Sequence, residues 1–380
     1  MKTSLKRSKL WLALGVFLLV ATAFAIGWLA NARWGDSEIR LIKHAHQLIA
    51  NEALFNEQSD RELSYAAIRG MLSGSGDEYA EFIEPDAAQD LLETFAGKTG
   101  VIGLHAENQA GRVVIVTVFP GGPAEKAGLK VGDVILSIDG KALDKESDSS
   151  ETGLLIRGVP GTPVALEIER DGEVQRYEPI RQAREFVTAR MLSDGIGYIS
   201  LNAFNAVASQ EMKGELEALL ALKPTAVVWD LRNNEGGDMQ AAQEIISYFI
   251  EDGLLFSAEL TRGRKVEFYP KGEAVVVDLP VVVLMDETTY SAAETAAAAI
   301  AETGRGKTVG TRSYGKGLIQ ATIPMVDHTM LQMTVARWLS SQGEWYHLHG
   351  VPPQVEISDD PDTEVDEVLQ KAVEIIRTSP

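Results

Sequence analysis

The sequence predicts a chain of several modules: a membrane-length apolar segment, a helical stretch, a compact β-rich domain and a larger α/β core. Three observations carry this reading. Residues 10–30 are twenty-one in a row without a charge. From about 99 to 182, short β-branched runs alternate and are cut by glycines. From about 184, amphipathic helical stretches alternate with apolar runs at 226–231, interrupted by Asp230 alone, and at 281–285, the pattern of strands buried on both faces. A length of 380 residues is too great for one ordinary core, and 45% apolar with 24% charged residues is normal globular usage.

Lys2, Lys6, Arg7 and Lys9 precede the uncharged segment, and Trp11, Trp28 and Trp34 sit near its ends. At about 1.5 Å per residue it just spans a hydrocarbon layer of about 30 Å. Setting those four bases aside turns the net charge of −20 into −20 − 4 = −24 for the rest. The positive-inside rule then keeps the N-terminus cytoplasmic and exports the bulk. An uncleaved anchor fits the length better than a signal peptide, whose apolar core runs about 7–15 residues. Ala30-Asn31-Ala32 offers the small-x-small cleavage site of that alternative, which would release the chain outside the membrane. The acidic excess opposes nucleic-acid binding. With no cysteine there is no disulfide, thiolate metal site or Cys nucleophile. Six histidines, at 44, 46, 105, 328, 347 and 349, leave little for metal or triad chemistry, and no cofactor is implied.

Residues 1–35 form the anchor segment and 36–98 the helical stretch. Ile39, Ile42, His46 and Ile49 share one face of a helix that Asp36 or Ser37 can cap, and a second helix over 61–72 stops at Ser73-Gly74-Ser75-Gly76. The β-rich domain covers 99–183. A strand at 112–119 turns at Pro120-Gly121-Gly122, Pro123 opens a short helix where its missing N–H costs nothing, and Gly128 ends it. Val134, Leu136 and Ile138 are expected to alternate inward before Asp139-Gly140, and Val164, Leu166 and Ile168 to form another strand. The core at 184–360 runs through a strand at 197–201, a helix at 211–222 and an alanine-rich helix at 291–303, and a helix at 361–380 closes the chain.

Three pieces of the core can carry chemistry. In DLRNNEGG (230–237), two glycines after a buried strand let the backbone approach a ligand; the same motif is also an ordinary tight turn. In DETTYSAAETAAA (286–298), Ser291 stands where helix dipoles favour negative charge, and with Glu294 it equally forms a capping box. In GTRSYGKGLIQ (310–320), Lys316 sits between glycines, where burial can lower its pKa to that of a base, or where it is a solvated loop residue. Two decoys fail. Gly317 replaces the Ser/Thr of a phosphate-binding loop, and Ser313-x-x-Lys316 needs a helix that Gly315 and Gly317 oppose.

The run GGPAEKAGLKVGDVILSIDG (121–140) resembles the PDZ domains of bacterial proteases. That resemblance implies binding of polypeptide C-termini, with a carboxylate loop at Val101, Ile102, Gly103 and Leu104, although Val101 stands where the family has glycine. Together with AAIRGMLSGSGDEYAEFIEP (66–85), IRGVPGTPVALEIERDG (156–172), GYISLNAF (197–204) and VVWDLRNNEGG (227–237), the three core motifs resemble the carboxy-terminal processing (tail-specific) peptidases. The resemblance implies a crotonase-like β/α superhelix and a serine protease with a Ser/Lys dyad. Ser291 is then the nucleophile, Lys316 the general base and Gln320 the residue that orients it. Backbone N–H groups of Ala292 and of Gly236 or Gly237 would hold the oxyanion. Tyr290 departs from the family's small residue, and HGVPPQVEI (349–357) lacks its usual aspartate. The rival reading is a catalytically silent, membrane-anchored PDZ adaptor. The helical ends, 36–92 and 361–377, offer faces through which copies of the chain could associate.

Overall fold

The computed structural model describes residues 37–95, 99–119, 121–145, 147, 149–360, 363 and 365–378. The membrane-length segment, its cleavage site and Asp36 lie outside these residues. Among the described residues, no helix is long and apolar enough to cross a membrane. The chain divides into two compact units, up to Phe82 and from Ile83. The division precedes the third helix, α3 (Pro85–Phe95), which lies in the second unit.

In the first unit, α1 (Ser37–Glu52) precedes α2 (Asp60–Ser73). A reciprocal capping box fixes the start of α2: Ser59 N–H donates to Glu62 Oε2 at 2.6 Å, and Glu62 N–H to Ser59 Oγ at 3.3 Å. Tyr65 packs edge-on against Phe82 with ring centres 4.7 Å apart. His46 Nε2 lies 3.1 Å from the Asp60 carbonyl, a local tie between the helices.

The second unit opens, after α3, with the β-rich domain. Strands β1 (Leu104–Gln109), β2 (Arg112–Val118), β3 (Val134–Ile138), β4 (Leu166–Arg170) and β5 (Glu173–Tyr177) form one antiparallel sheet in that order. Helices α4 (Pro123–Ala127) and α5 (Ser149–Ile156) cover it. Pro123 starts α4, and Gly128 ends it in the left-handed region at φ 88°. The alternation expected along β3 is displaced: Ile135 and Ile138 are buried, while Val134 and Leu136 are half-buried. A register shift between Ile135 and Ser137, where β3 meets β4, interrupts the alternation before Ile138. One edge of β1 pairs with β2, and α5 packs against β1.

The core is a six-stranded sheet. Its strands are β6 (Val187–Met191), β7 (Gly197–Leu201), β8 (Val227–Asp230), β11 (Val281–Met285), β12 (Lys307–Gly310) and β15 (Val355–Glu356), in that order. Only β6 runs antiparallel to its neighbour. Residues 227–230 and 281–285 are wholly buried, which explains why both runs are apolar but for Asp230 at the end of the first. Along β8, Val227 and Trp229 enter the large core beneath α6 (Ala206–Ala221), α7 (Met239–Ser247) and α8 (Ala292–Glu302). Val228 points to the other face, where α9 (Glu367–Thr378) contributes Val368 and Ala372. Helix α6 begins earlier than its apolar period suggests because Asn205 caps it, accepting from Ala208 N–H at 2.8 Å. A second, antiparallel sheet pairs β13 (Leu318–Pro324), β14 (Met330–Ser340), β9 (Phe256–Leu260) and β10 (Lys265–Phe268) in that order.

Helix α9 is also tied by charge to the loop that follows β8. The Arg232 guanidinium forks onto Asp366 at 2.9 and 2.8 Å and donates to Asp230 Oδ2 at 2.7 Å, and Tyr198 OH donates to the same Asp230 oxygen at 2.8 Å. Burial pushes the Asp366 carboxyl up, but the Arg232 hydrogen bonds outweigh it and the net shift is downward. Asp366 is 40% exposed, so solvent screens part of this contact. Asp366→Ala should cost on the order of 1–2 kcal/mol in denaturant unfolding. Because the folded carboxyl titrates below the unfolded one, the contribution is present at neutral pH and is lost as pH falls through the depressed value. The gap between wild type and variant should therefore close in acid.

Candidate functional site

Three loops at the C-terminal ends of β8, β11 and β12 converge, as ligand sites in parallel sheets do. The first, 230–237, is stitched in place by Asn234. That side chain is fully buried, donates from Nδ2 to the Leu201 carbonyl at 2.7 Å and accepts Gly236 N–H on Oδ1 at 2.8 Å. The two glycines answer a demand for space. A Cβ on Gly236 would lie 2.6 Å from the Tyr290 carbonyl oxygen and 2.8 Å from Ser291 Cβ. One on Gly237, at φ 141°, would lie 2.1 Å from the Phe204 carbonyl oxygen. Among the described residues, the N–H groups of Gly237 and Ala292 meet no acceptor, whereas that of Gly236 is taken by Asn234.

The second loop joins β11 to α8 and carries Ser291. Asp286 gathers it by accepting Thr288 N–H at 3.0 Å and the Thr288 hydroxyl at 2.7 Å. Tyr290 N–H donates across to the Asn234 carbonyl at 3.1 Å, joining the first two loops. Ser291 has φ 59° and ψ −122°. An ordinary N-cap is extended; this is the strained strand-to-helix elbow that lifts a side chain out of the turn. The cap reading is half right, because Ser291 N–H does donate to the Glu294 carboxylate at 2.8 Å.

Glu294 joins the second loop to the third. Fully buried, it takes Ser291 N–H and Lys316 N–H on Oε2, each at 2.8 Å. On Oε1 it takes Gly315 N–H at 2.7 Å and the Ser313 hydroxyl at 2.5 Å. Burial pushes its carboxyl up against these four bonds, which hold it down. The backbones of Ser291 and Lys316 thus share one oxygen. The Lys316 ammonium stands 5.5 Å above the Tyr290 ring. Burial pulls the Lys316 amine down from the usual lysine range, while Glu235 and then Glu294 pull it partly back. Gly315, at φ 94°, lies so close to Gly350 N that a Cβ would sit 2.8 Å away.

Residues 311–317 are not helical and 318–324 are strand β13, so Ser313-x-x-Lys316 lacks the helix it requires. Gln320 is not hydrogen-bonded to Lys316: its Nε2 donates to Thr334 Oγ1 at 3.3 Å, beside a register shift at Ile319/Gln320. Ser313, dismissed with the decoy, turns out to be structural: besides bonding Glu294, its hydroxyl accepts Val351 N–H at 2.7 Å. Neither Ser313 nor Asn234 announces itself in the sequence, because each acts through partners far along the chain. In the β-rich domain, Ile102 is buried and its carbonyl accepts Ala124 N–H at 2.7 Å. Gly103, at φ 75°, accepts Phe119 N–H at 3.0 Å, and Leu104 begins β1. Val101 pairs with Gln182. Among the described residues, no acceptor faces the N–H of Ile102 or Gly103.

Residues 195–357 match the model of peptidase family S41, and residues 100–178 match that of the PDZ domain. The carboxy-terminal processing protease CtpA of Bacillus subtilis is 32% identical over 329 residues, covering 86% of this chain and 70% of the relative. CtpB of the same organism is 31% identical over 330 residues, covering 85% and 68%. Among solved structures, a photosystem II D1 C-terminal processing protease superposes with a TM-score of 0.61 at 27% identity, over 90% of this chain and 94% of that one. A catalytic module on the parallel sheet, a PDZ domain before it and relatives matched along most of their length lead to one assignment: the chain belongs to peptidase family S41, as a PDZ-containing serine peptidase of the carboxy-terminal processing kind.

Proposed function

We propose that the chain hydrolyses peptide bonds in extracytoplasmic polypeptides or their C-terminal tails through an acyl-enzyme on Ser291, with Lys316 as general base. The observation that carries this is the Glu294 carboxylate, which binds the backbones of both residues and so fixes two distant loops as one unit. Ser291 Oγ attacks the carbonyl, and neutral Lys316 takes its proton and returns one to the leaving amine. Water then repeats the sequence to release the acyl group. The oxyanion is assigned to the N–H groups of Gly237 and Ala292, since that of Gly236 already has an acceptor. Such donors are worth about 2.7–4 kcal/mol each. Gln320 orients Lys316 in this reading only after leaving Thr334.

The PDZ domain delivers the tail. A substrate strand adds to β1 beside α5, and its carboxylate takes the free N–H groups of Ile102 and Gly103 within the loop Val101–Leu104. The core is read as a crotonase-like β/α superhelix because its parallel strands alternate with helices on both faces. Residues 10–30 are read as the membrane anchor that keeps the enzyme extracytoplasmic.

Ser291→Ala and Lys316→Ala should each abolish cleavage of an internally quenched peptide with an apolar C-terminus; full activity in either one removes the dyad. The base works only when deprotonated, so kcat/KM should rise with pH through the Lys316 titration, and that limb should lie below the usual lysine value of about 10.4. Glu235→Gln withdraws a charge that favours the ammonium, and its limb should lie at lower pH than in wild type. Glu294→Gln replaces an acceptor of four donors by an amide that must turn N–H groups towards some of them. It should lower kcat by about 10²-fold and the melting temperature together.

A further inference from the structure

The peptide after Lys316 is held on its other side by three aromatic side chains. Trp338, fully buried on β14, donates its indole N–H to the Lys316 carbonyl at 2.8 Å. Trp345 donates in the same way to the Gly317 carbonyl at 2.9 Å. His347 Nδ1 lies 3.3 Å from the Gly317 nitrogen. A backbone N–H can only donate, so Nδ1 carries the lone pair and the proton of the neutral ring sits on Nε2. The His347 and Trp345 rings stack with centres 5.1 Å apart and planes 21° from parallel. Gly317 leaves them no slack: a Cβ there would lie 2.6 Å from both His347 Cβ and Trp345 Nε1. The segment that supplies these rings is anchored on the helix that Ser291 opens. Ser341 Oγ, Gln342 N–H and Tyr346 OH all donate to Glu302, the last residue of α8.

We propose that His347 is a positioning residue for the lysine base: its neutral ring accepts Gly317 N–H and thereby fixes the backbone from which Lys316 reaches towards Ser291. The inference rests on Lys316 being the base. Protonating His347 sets a second N–H against that of Gly317, donor to donor, and turns an attractive contact into a repulsive one. Nearby, Lys316 lies on the loop the ring holds, Arg337 stands 4.9 Å from the centre of the Trp345 ring, and Glu294 accepts the Lys316 N–H. None of them can replace Nδ1 as the acceptor for Gly317.

The test uses the full-length protein and the internally quenched peptide. His347→Leu removes the acceptor, and His347→Asn restores an oxygen close to the position of Nδ1. The leucine variant should lose about 10²-fold in kcat with KM little changed, and the asparagine variant should regain most of it. Trp345→Phe, which keeps the ring and removes the donor to Gly317, should lower kcat with KM little changed; it stands in for His347→Leu if that variant does not fold. Wild-type kcat in the variant that is read, or an asparagine variant no more active than the leucine one, overturns the role of His347. Activity surviving in Ser291→Ala or Lys316→Ala overturns the dyad instead, and the present proposal with it.

Discussion

One buried carboxylate holds this site together. Glu294 accepts four hydrogen bonds from groups spread between Ser291 and Lys316, three of them from backbone N–H groups that have no choice but to donate. Taking a carboxyl out of water is costly, and its raised titration reflects that cost. The four donors offset it only when all are in place, so the geometry is close to all-or-none. The strained backbone of Ser291 persists under the same constraint, because its N–H is one of the four.

Helix α8 extends this control along its length. Its first turn carries Glu294 and its last residue, Glu302, which gathers the segment that bears Trp345 and His347. Between them, Ala292, Ala293 and the run 296–299 are buried, and their small side chains let the helix sink into the core beside the sheet. The Ser291 loop and the Lys316 loop are therefore both referred to one rigid rod. Preorganisation here comes from secondary structure, with loops serving as fixed attachments.

Much of this was legible in the residues. Ser291 at a strand-to-helix junction, Lys316 between glycines and the paired glycines 236 and 237 all mark their places, and the buried strands fall where apolar runs predict. What escaped has a common physical cause: it depends on partners distant in sequence. The pattern around Ser291 and Glu294 suggests a cap, and nothing local says that the same carboxylate reaches residues 313–316. Gly236 and Gly237 look equivalent until Asn234 takes one of their N–H groups. The inward alternation expected of β3 is out of phase from its first residue, because the sheet buries Ile135 and leaves Val134 half-buried. Gln320 follows its motif, yet its amide is turned to Thr334 on the adjacent strand.

The Arg232–Asp366 fork has a consequence for how the enzyme assembles. It joins residues 134 positions apart, linking the loop that bears Gly236 and Gly237 to the start of the last helix. Closing so long a span costs chain entropy that the contact must offset. The loop beside Ser291 therefore draws one of its restraints from a residue far along the chain. Its shape is a property of the whole fold and not of its own stretch of sequence.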